Sequence, residues 1–235
     1  ALSDMAEQQG VRDVFIHCFT DGRDTDPKSG AGYVQQLQDH LKLKGSAGTI
    51  ASVVGRYYAM DRDHRWERIK QAYDLMVTGI GQPFGDPAEA IQASYSEGVT
   101  DEFIRPKVMV GPDGKPLVTI GSGDVVISFN FRTDRCRQIM EALTQRDFPE
   151  QDMHKLDLYA VTMTEYDHSF KNVKIVFDNV DLSNTIGEVL ERAGKTQLRV
   201  AETEKYPHVT FSSQLTAVSC RLFRCPKSAP GDHRT

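Results

Sequence analysis

Three short stretches combine arginine and aspartate at spacings suited to holding an anion. They are Asp21-Gly22-Arg23-Asp24-Thr25, Gly55-Arg56-Tyr57-Tyr58-Ala59-Met60-Asp61-Arg62-Asp63-His64-Arg65-Trp66 and Phe131-Arg132-Thr133-Asp134-Arg135. Arginine keeps its charge and presents a planar fork of N–H donors that matches phosphate or carboxylate oxygens in pairs. A lone arginine in a loop is ordinarily a solvated surface group or a salt-bridge partner. Arg23, Arg56, Arg62, Arg132 and Arg135, recurring after three successive apolar runs, instead describe a pocket for a small molecule bearing phosphate and carboxylate. Asp61, Asp63 and Asp134 are expected to hold arginine side chains in place. Asp24 has two possible tasks, a salt bridge or general acid–base work on a substrate hydroxyl.

The elements that must position these residues alternate between strands and helices, so the class is α/β. Residues 1–9 read as a helix stopped by Gly10. Val11 to Phe19 is a near-continuous apolar run of the kind found in buried parallel strands, and it ends at the first cluster. Residues 30–44 form an amphipathic helix with Tyr33, Val34, Leu37 and Leu41 on its apolar side, and Thr49–Val54 is the next strand. Trp66–Val77 is a long helix with Trp66, Ile69, Ala72, Tyr73 and Met76 on one face. Asp86-Pro87 marks the start of a further helix that stops at Gly98. Val108–Val110 and Leu117–Ile120 flank a Pro112-Asp113-Gly114 turn and read as a hairpin. Asp124–Phe129 is a third buried strand, followed by a helix over Arg135–Leu143. Leu156–Met163, Lys171–Phe177 and Gln197–Ala201 are strands, and Thr185–Arg192 is a helix. If the arginine-bearing strands are parallel neighbours, their loops converge at one sheet edge, where open α/β sheets bind ligands. A helix starting near Arg132 would add its N-terminal amides to the same anion.

Composition narrows the functional classes. The chain has 235 residues and a net charge of −5, with 26% charged and 39% hydrophobic residues. That balance argues against a general nucleic-acid binder. The apolar runs are too short for a membrane helix, and the N-terminal residues lack the pattern of a secretory signal. Cys18 and Cys136 lie in strand and helix patterns as small buried thiols, while Cys220 and Cys225 lack zinc-site spacing, so a reducing cytoplasmic compartment is expected. The scattered histidines show no ligand pair, and no Walker loop, Gly-x-Gly-x-x-Gly or Gly-x-Ser-x-Gly is present. Residues 212–235 lose periodicity and hold four basic residues against one acid, leaving the first 211 residues with 24 basic and 32 acidic ones. This last stretch is expected to be a disordered or non-native tail.

Four runs carry a resemblance: Phe19-Thr20-Asp21-Gly22-Arg23-Asp24-Thr25, the stretch Gly55 to Asp63, Asn130-Phe131-Arg132-Thr133-Asp134-Arg135, and Ala201-Glu202-Thr203-Glu204-Lys205-Tyr206. In this order they closely resemble the cofactor-independent phosphoglycerate mutases, over about residues 1–211. The resemblance implies an isomerase that interconverts 3-phosphoglycerate and 2-phosphoglycerate through a phosphoserine. It also implies an alkaline-phosphatase-like domain with two Mn²⁺ or Mg²⁺ ions, and a substrate-binding domain inserted into it. Residues 1–180 would be the inserted domain, with a mainly parallel sheet flanked by helices, and residues 181–211 the return into the phosphatase-like domain. Arg23, Arg56, Arg62, Arg132 and Arg135 would hold substrate, Asp24 would handle its hydroxyl protons, and Lys205 would lie near the transferred phosphate. Thr133 stands where the family often has Pro or Ala. The resemblance places the serine nucleophile upstream of Ala1 and the metal ligands upstream of Ala1 and downstream of Phe211. The chain alone is therefore expected to bind phosphoglycerate without turning it over, and the full-length protein to be monomeric. The alternatives are a non-catalytic anion-binding module or a non-functional fragment of the same fold.

Overall fold

A computed structural model describes residues 1–44, 48–178 and 183–196. The expected strand at Gln197–Ala201, Lys205, Cys220, Cys225 and the tail 212–235 lie outside the described residues. Residues 1–178 form one compact unit, and 183–196 belong to a second.

The first unit begins with α1 (Leu2–Gln8), which ends at Gly10, and continues through β1 (Val14–Thr20), α2 (Gly30–Lys44) and β2 (Gly48–Gly55). After β2 the chain turns at once into the single-turn helix α3 (Arg56–Ala59) and then the longer α4 (Trp66–Val77). There follow β3 (Gln82–Phe84), α5 (Pro87–Ser96), a 3₁₀ turn at Asp101–Phe103, and β4 (Lys107–Met109). The unit closes with β5 (Val125–Ser128), α6 (Arg137–Thr144), a 3₁₀ turn at Pro149–Gln151, β6 (Tyr159–Thr162) and β7 (Val173–Ile175). In the second unit, α7 (Ile186–Arg192) is capped by the Thr185 hydroxyl, which accepts from the Glu188 amide.

The strands make two sheets, ordered β1-β2-β4-β3 and β5-β6-β7, and every pairing but β2 with β4 is parallel. Helices cover both faces of the first sheet. Val53 packs with Ala31, Val34 and Leu41 of α2 and Ile91 of α5. Its neighbour Val54 faces the other way, into a cluster with Ile69, Tyr73 and Met76 of α4 and Ile139, Met140 and Leu143 of α6. This opposition follows from the alternation of side chains along a strand. Asp86 caps α5 as its sequence context suggests, its Oδ1 accepting from the Ala88 and Glu89 amides at 2.9 Å each, with Pro87 in the first turn.

Several expectations are corrected. The three arginine-bearing strands do not share one sheet, because β5 pairs with β6 and not with β1 or β2. β5 is an edge strand, and its alternation puts Val126 against the core while Val125 is 64% exposed. β1 is also an edge strand, with Phe15 exposed. On α2 the apolar side is Ala31, Val34 and Leu41, and Tyr33 faces out. The hairpin shrinks to one bridge, Val110 with Pro116, with the Leu117 amide bonded to the Met109 carbonyl and the Gly111 amide to the Lys115 carbonyl, each at 2.9 Å. Pro116 has no N–H to extend the ladder, and β4 pairs with β2 and β3 instead.

His17 of β1 bonds through Nδ1 to the Ser52 hydroxyl of β2 at 2.7 Å, next to a register shift between Ile16 and His17. Burial disfavours its imidazolium and lowers its pKa to about 4. The unfolded chain, with histidine near 6.5, then binds more protons than the native one between these values, so stability falls as pH drops from about 6.5 to 4. Urea unfolding of the wild type is expected to show this loss, on the order of 3 kcal/mol at 1.36 kcal/mol per pKa unit, and the His17→Gln variant a flatter dependence over the same window.

Candidate anion-binding site

Each arginine cluster sits where a strand gives way to a helix or turn. Arg56 is the first residue of α3, immediately after β2, and its side chain is only 5% exposed. Its Nη1 donates to Asp21 Oδ1 at 2.5 Å and to Asp24 Oδ2 at 3.0 Å, which ties the loop after β1 to the end of β2. Asp24 Oδ2 also lies 3.8 Å from Arg132 Nη1, and Arg132 forks onto Asp134 through Nε and Nη2, both at 3.2 Å. Arg62 Nη1 donates to Asp134 Oδ2 at 3.1 Å, and Arg135 Nε stands 3.9 Å from the same oxygen. The loops that follow β1, β2 and β5 are thus joined by one continuous set of ion pairs although they come from two sheets.

The loop after β5 is held from behind. Tyr166 donates its hydroxyl to the Asn130 carbonyl at 2.5 Å, and Thr164 Oγ1 donates to the Phe131 carbonyl at 2.7 Å. Asn130 Nδ2 in turn donates to the buried Cys136 sulfur at 2.7 Å. Burial pushes the Cys136 thiol up to about 12, so it is an inert packing group and not a nucleophile. Residues 133–135 form a turn and α6 starts only at Arg137, so the helix start expected near Arg132 is absent and these residues contribute guanidinium groups.

Within the described network four guanidinium groups, Arg56, Arg62, Arg132 and Arg135, face three carboxylates, Asp21, Asp24 and Asp134. Burial works against the charged forms of Asp21 and Asp134, yet hydrogen bonds from Arg56 on the one and from Arg132 and Arg62 on the other hold both below the usual carboxylate range. Arg135 shows the reverse balance. Burial first, then repulsion from Arg56, Arg62 and Arg132, lowers its pKa. Its buried Nε has no hydrogen-bond acceptor within the described residues. Cations crowded together in a body of net negative charge favour an incoming anion, which would relieve their repulsion.

Not every expected residue joins the network. Arg23 is 54% exposed and points to Glu102 Oε1 at 3.8 Å. Asp61 is buried, accepts from the Asp63 and Arg65 amides, and meets Arg68 at 3.7 Å, so it shapes the turn after α3. Asp63 is exposed and pairs with no arginine among the described residues. Sequence reasoning assigned no task to Asp21 or Glu102. Asp21 could have been found from its place at the end of an apolar strand beside Arg23; Glu102 carries no local signal.

A resident Mn²⁺ or Mg²⁺ does not fit the described residues. Such hard cations need several oxygen ligands, whereas the carboxylates here are engaged by guanidinium groups. No cluster of three or more His, Cys, Asp or Glu side chains able to hold a metal occurs among the described residues. Among the same residues no helix is long and apolar enough to cross a membrane.

The profile of the family described as BPG-independent PGAM N-terminus matches residues 1–168. The chain belongs to that family. Similar relatives of the family carry the name 2,3-bisphosphoglycerate-independent phosphoglycerate mutase. The one from Flavobacterium johnsoniae is 59% identical over 210 residues, covering 89% of this chain and 41% of the relative. The one from Moorella thermoacetica is 49% identical over 213 residues, covering 90% and 41%. Among solved structures, the Leishmania mexicana phosphoglycerate mutase determined at low cobalt concentration superposes with a TM-score of 0.75 at 28% identity, over 89% of this chain and 40% of that one. The chain therefore spans about two-fifths of the length of the family members it matches. All three arginine clusters fall within the stretch matched by the family profile.

Proposed function

We propose that residues 1–180 are the substrate-binding domain of a glycolytic phosphoglycerate mutase and that the arginine network is where 3-phosphoglycerate and 2-phosphoglycerate bind. The observation that carries this reading is the junction of three loops from two sheets by one continuous set of guanidinium–carboxylate pairs. Phosphoglycerate offers a phosphate and a carboxylate to such a surface. Arg56, Arg62, Arg132 and Arg135 would take the two anionic groups, and Arg23 would join them by swinging from Glu102. Asp24, exposed and set between Arg56 and Arg132, would take or return a proton at the substrate hydroxyl.

The phosphoryl transfer itself, through a phosphoserine and with Mn²⁺ or Mg²⁺, belongs in this reading to the part of the family's length that the chain does not span. Residues 181–211, with Lys205 near the transferred phosphate, would begin the return into the phosphatase-like domain, the rest of which lies in that part. The protein would work as a cytoplasmic monomer without nucleic acid or membrane partners. A mutase assay of the purified chain with Mn²⁺ tests the division of labour. Saturable binding of 3-phosphoglycerate without turnover is expected, and clear turnover by the chain alone would overturn it.

A further inference from the structure

Asp101 is 1% exposed, on the 3₁₀ turn between α5 and β4, and makes no ion pair with an arginine among the described residues. A buried carboxylate is costly unless each of its oxygens is matched by a donor. Here both are: Oδ1 accepts the Tyr95 hydroxyl at 2.5 Å and Oδ2 accepts the Gly30 amide at 2.7 Å. The Tyr95 hydroxyl itself accepts from the Ala31 amide at 3.2 Å, and burial, then the neighbouring Asp101, pushes its phenol up to about 12. The backbone of Asp101 is used as fully. Its amide donates to the Pro27 carbonyl at 2.9 Å, and its carbonyl accepts from Thr20 Oγ1 at 2.7 Å.

Three of these four bonds reach Thr20, Pro27 and Gly30, the end of β1, the middle of the following loop and the start of α2. Asp21, Arg23 and Asp24 lie between the first two grips. Glycines, Gly22 and Gly55 among them, make room for the same turn. A Cβ on Gly22, whose φ is +67°, would sit 2.7 Å from Asp101 Cβ, and one on Gly55 would sit 2.4 Å from the Glu102 carbonyl oxygen. Gly55 is the residue before Arg56. The turn holding Asp101 thus lies against both loops that the Arg56 ion pairs join, and the next residue, Glu102, is the one that faces Arg23.

We propose that Asp101, together with Tyr95, is a positioning residue for the anion site: it sets the backbone from which Asp21 and Asp24 meet Arg56 and Arg23 faces Glu102. The choice of ligand in the test rests on the function proposed above. An asparagine in its place presents an amide N–H₂ either to the Gly30 amide or to a Tyr95 hydroxyl that already accepts from Ala31, so one donor meets another.

The test compares the wild-type chain with Asp101→Asn and Tyr95→Phe, each at a temperature well below its unfolding transition. Two readouts are taken: backbone amide resonances without ligand, and calorimetric titration with 3-phosphoglycerate. The expected result is displacement of the Gly22, Arg23 and Asp24 amides and the Arg56 Nε–H resonance, with those of Ala142 and Ala160 unmoved, and affinity weakened about tenfold. Should Asp101→Asn fail to fold, Tyr95→Phe carries the comparison, since it removes one hydroxyl and retains the ring. Unmoved loop resonances, or moved resonances with unchanged affinity, would overturn the proposal and leave Asp101 a purely stabilising group. Moved resonances in a chain whose wild type binds no 3-phosphoglycerate would uphold the positioning role and count against the proposed ligand.

Discussion

Replacing Arg56 by alanine is expected to abolish calorimetrically detectable 3-phosphoglycerate binding and to lower stability by about 2 kcal/mol. Arg56 is the only arginine of the described network that is nearly fully buried, and it alone contacts both Asp21 and Asp24. Its loss severs the loop after β1 from the end of β2, so the remaining guanidinium groups no longer share a fixed frame. The stability cost stays below the roughly 3–5 kcal/mol typical of a stranded buried charge, because Asp21 is half-buried and Asp24 exposed, and both can regain water. Arg56→Lys keeps the charge but not the planar fork, and an intermediate affinity is expected. Urea unfolding followed by the fluorescence of Trp66, the single tryptophan, gives the first quantity, and titration the second. Unchanged affinity in Arg56→Ala would remove Arg56 from the site.

Gly55→Ala is expected to cost upward of about 3 kcal/mol and to lower the melting temperature by roughly 6–12 °C. The dihedral angles are not the reason. Gly55 has φ −70° and ψ 149°, a conformation open to any residue. The reason is space: the new Cβ would lie 2.4 Å from the Glu102 carbonyl oxygen, 2.7 Å from its carbon and 2.8 Å from the Asp101 carbonyl oxygen. All three are backbone atoms, and they cannot give way as the end of a flexible side chain can. Gly85→Ala, where the same Cβ meets nothing within 4 Å, is the control and should change stability by no more than about 0.5 kcal/mol. Similar melting temperatures for the two variants would show that the close approach at Gly55 relaxes freely.

Local signals carried much of this fold. The bounds of α2 and α4 follow from apolar spacing near 3.6 residues, and the start of α5 from Asp86-Pro87, because helices are held by contacts three and four residues apart. The arginine clusters were legible for the same reason: each follows an apolar run that does form a strand. What escaped depends on partners distant in sequence. Apolar content alone does not tell an edge strand from a central one, so β1 and β5 read as buried. Assigning them to separate sheets required knowing that β5 pairs with β6. The three-residue β3, containing Pro83, exists because β4 lies beside it. Asp101 meets Gly30 across 71 positions, and nothing in its neighbourhood announces the contact.

The most direct check of the central claim, an arginine pocket for phosphoglycerate, is a calorimetric titration of 3-phosphoglycerate into the purified chain and its Arg62→Ala variant at moderate salt. Arg62 follows α3 and donates to Asp134, so its removal should take one cation from the network without touching the bonds of Arg56. Saturable binding by the wild type that weakens at least tenfold in Arg62→Ala is the predicted result. Equal binding by both proteins would show that the anion is held elsewhere, and absence of binding by the wild type would show that these loops do not make a pocket on their own.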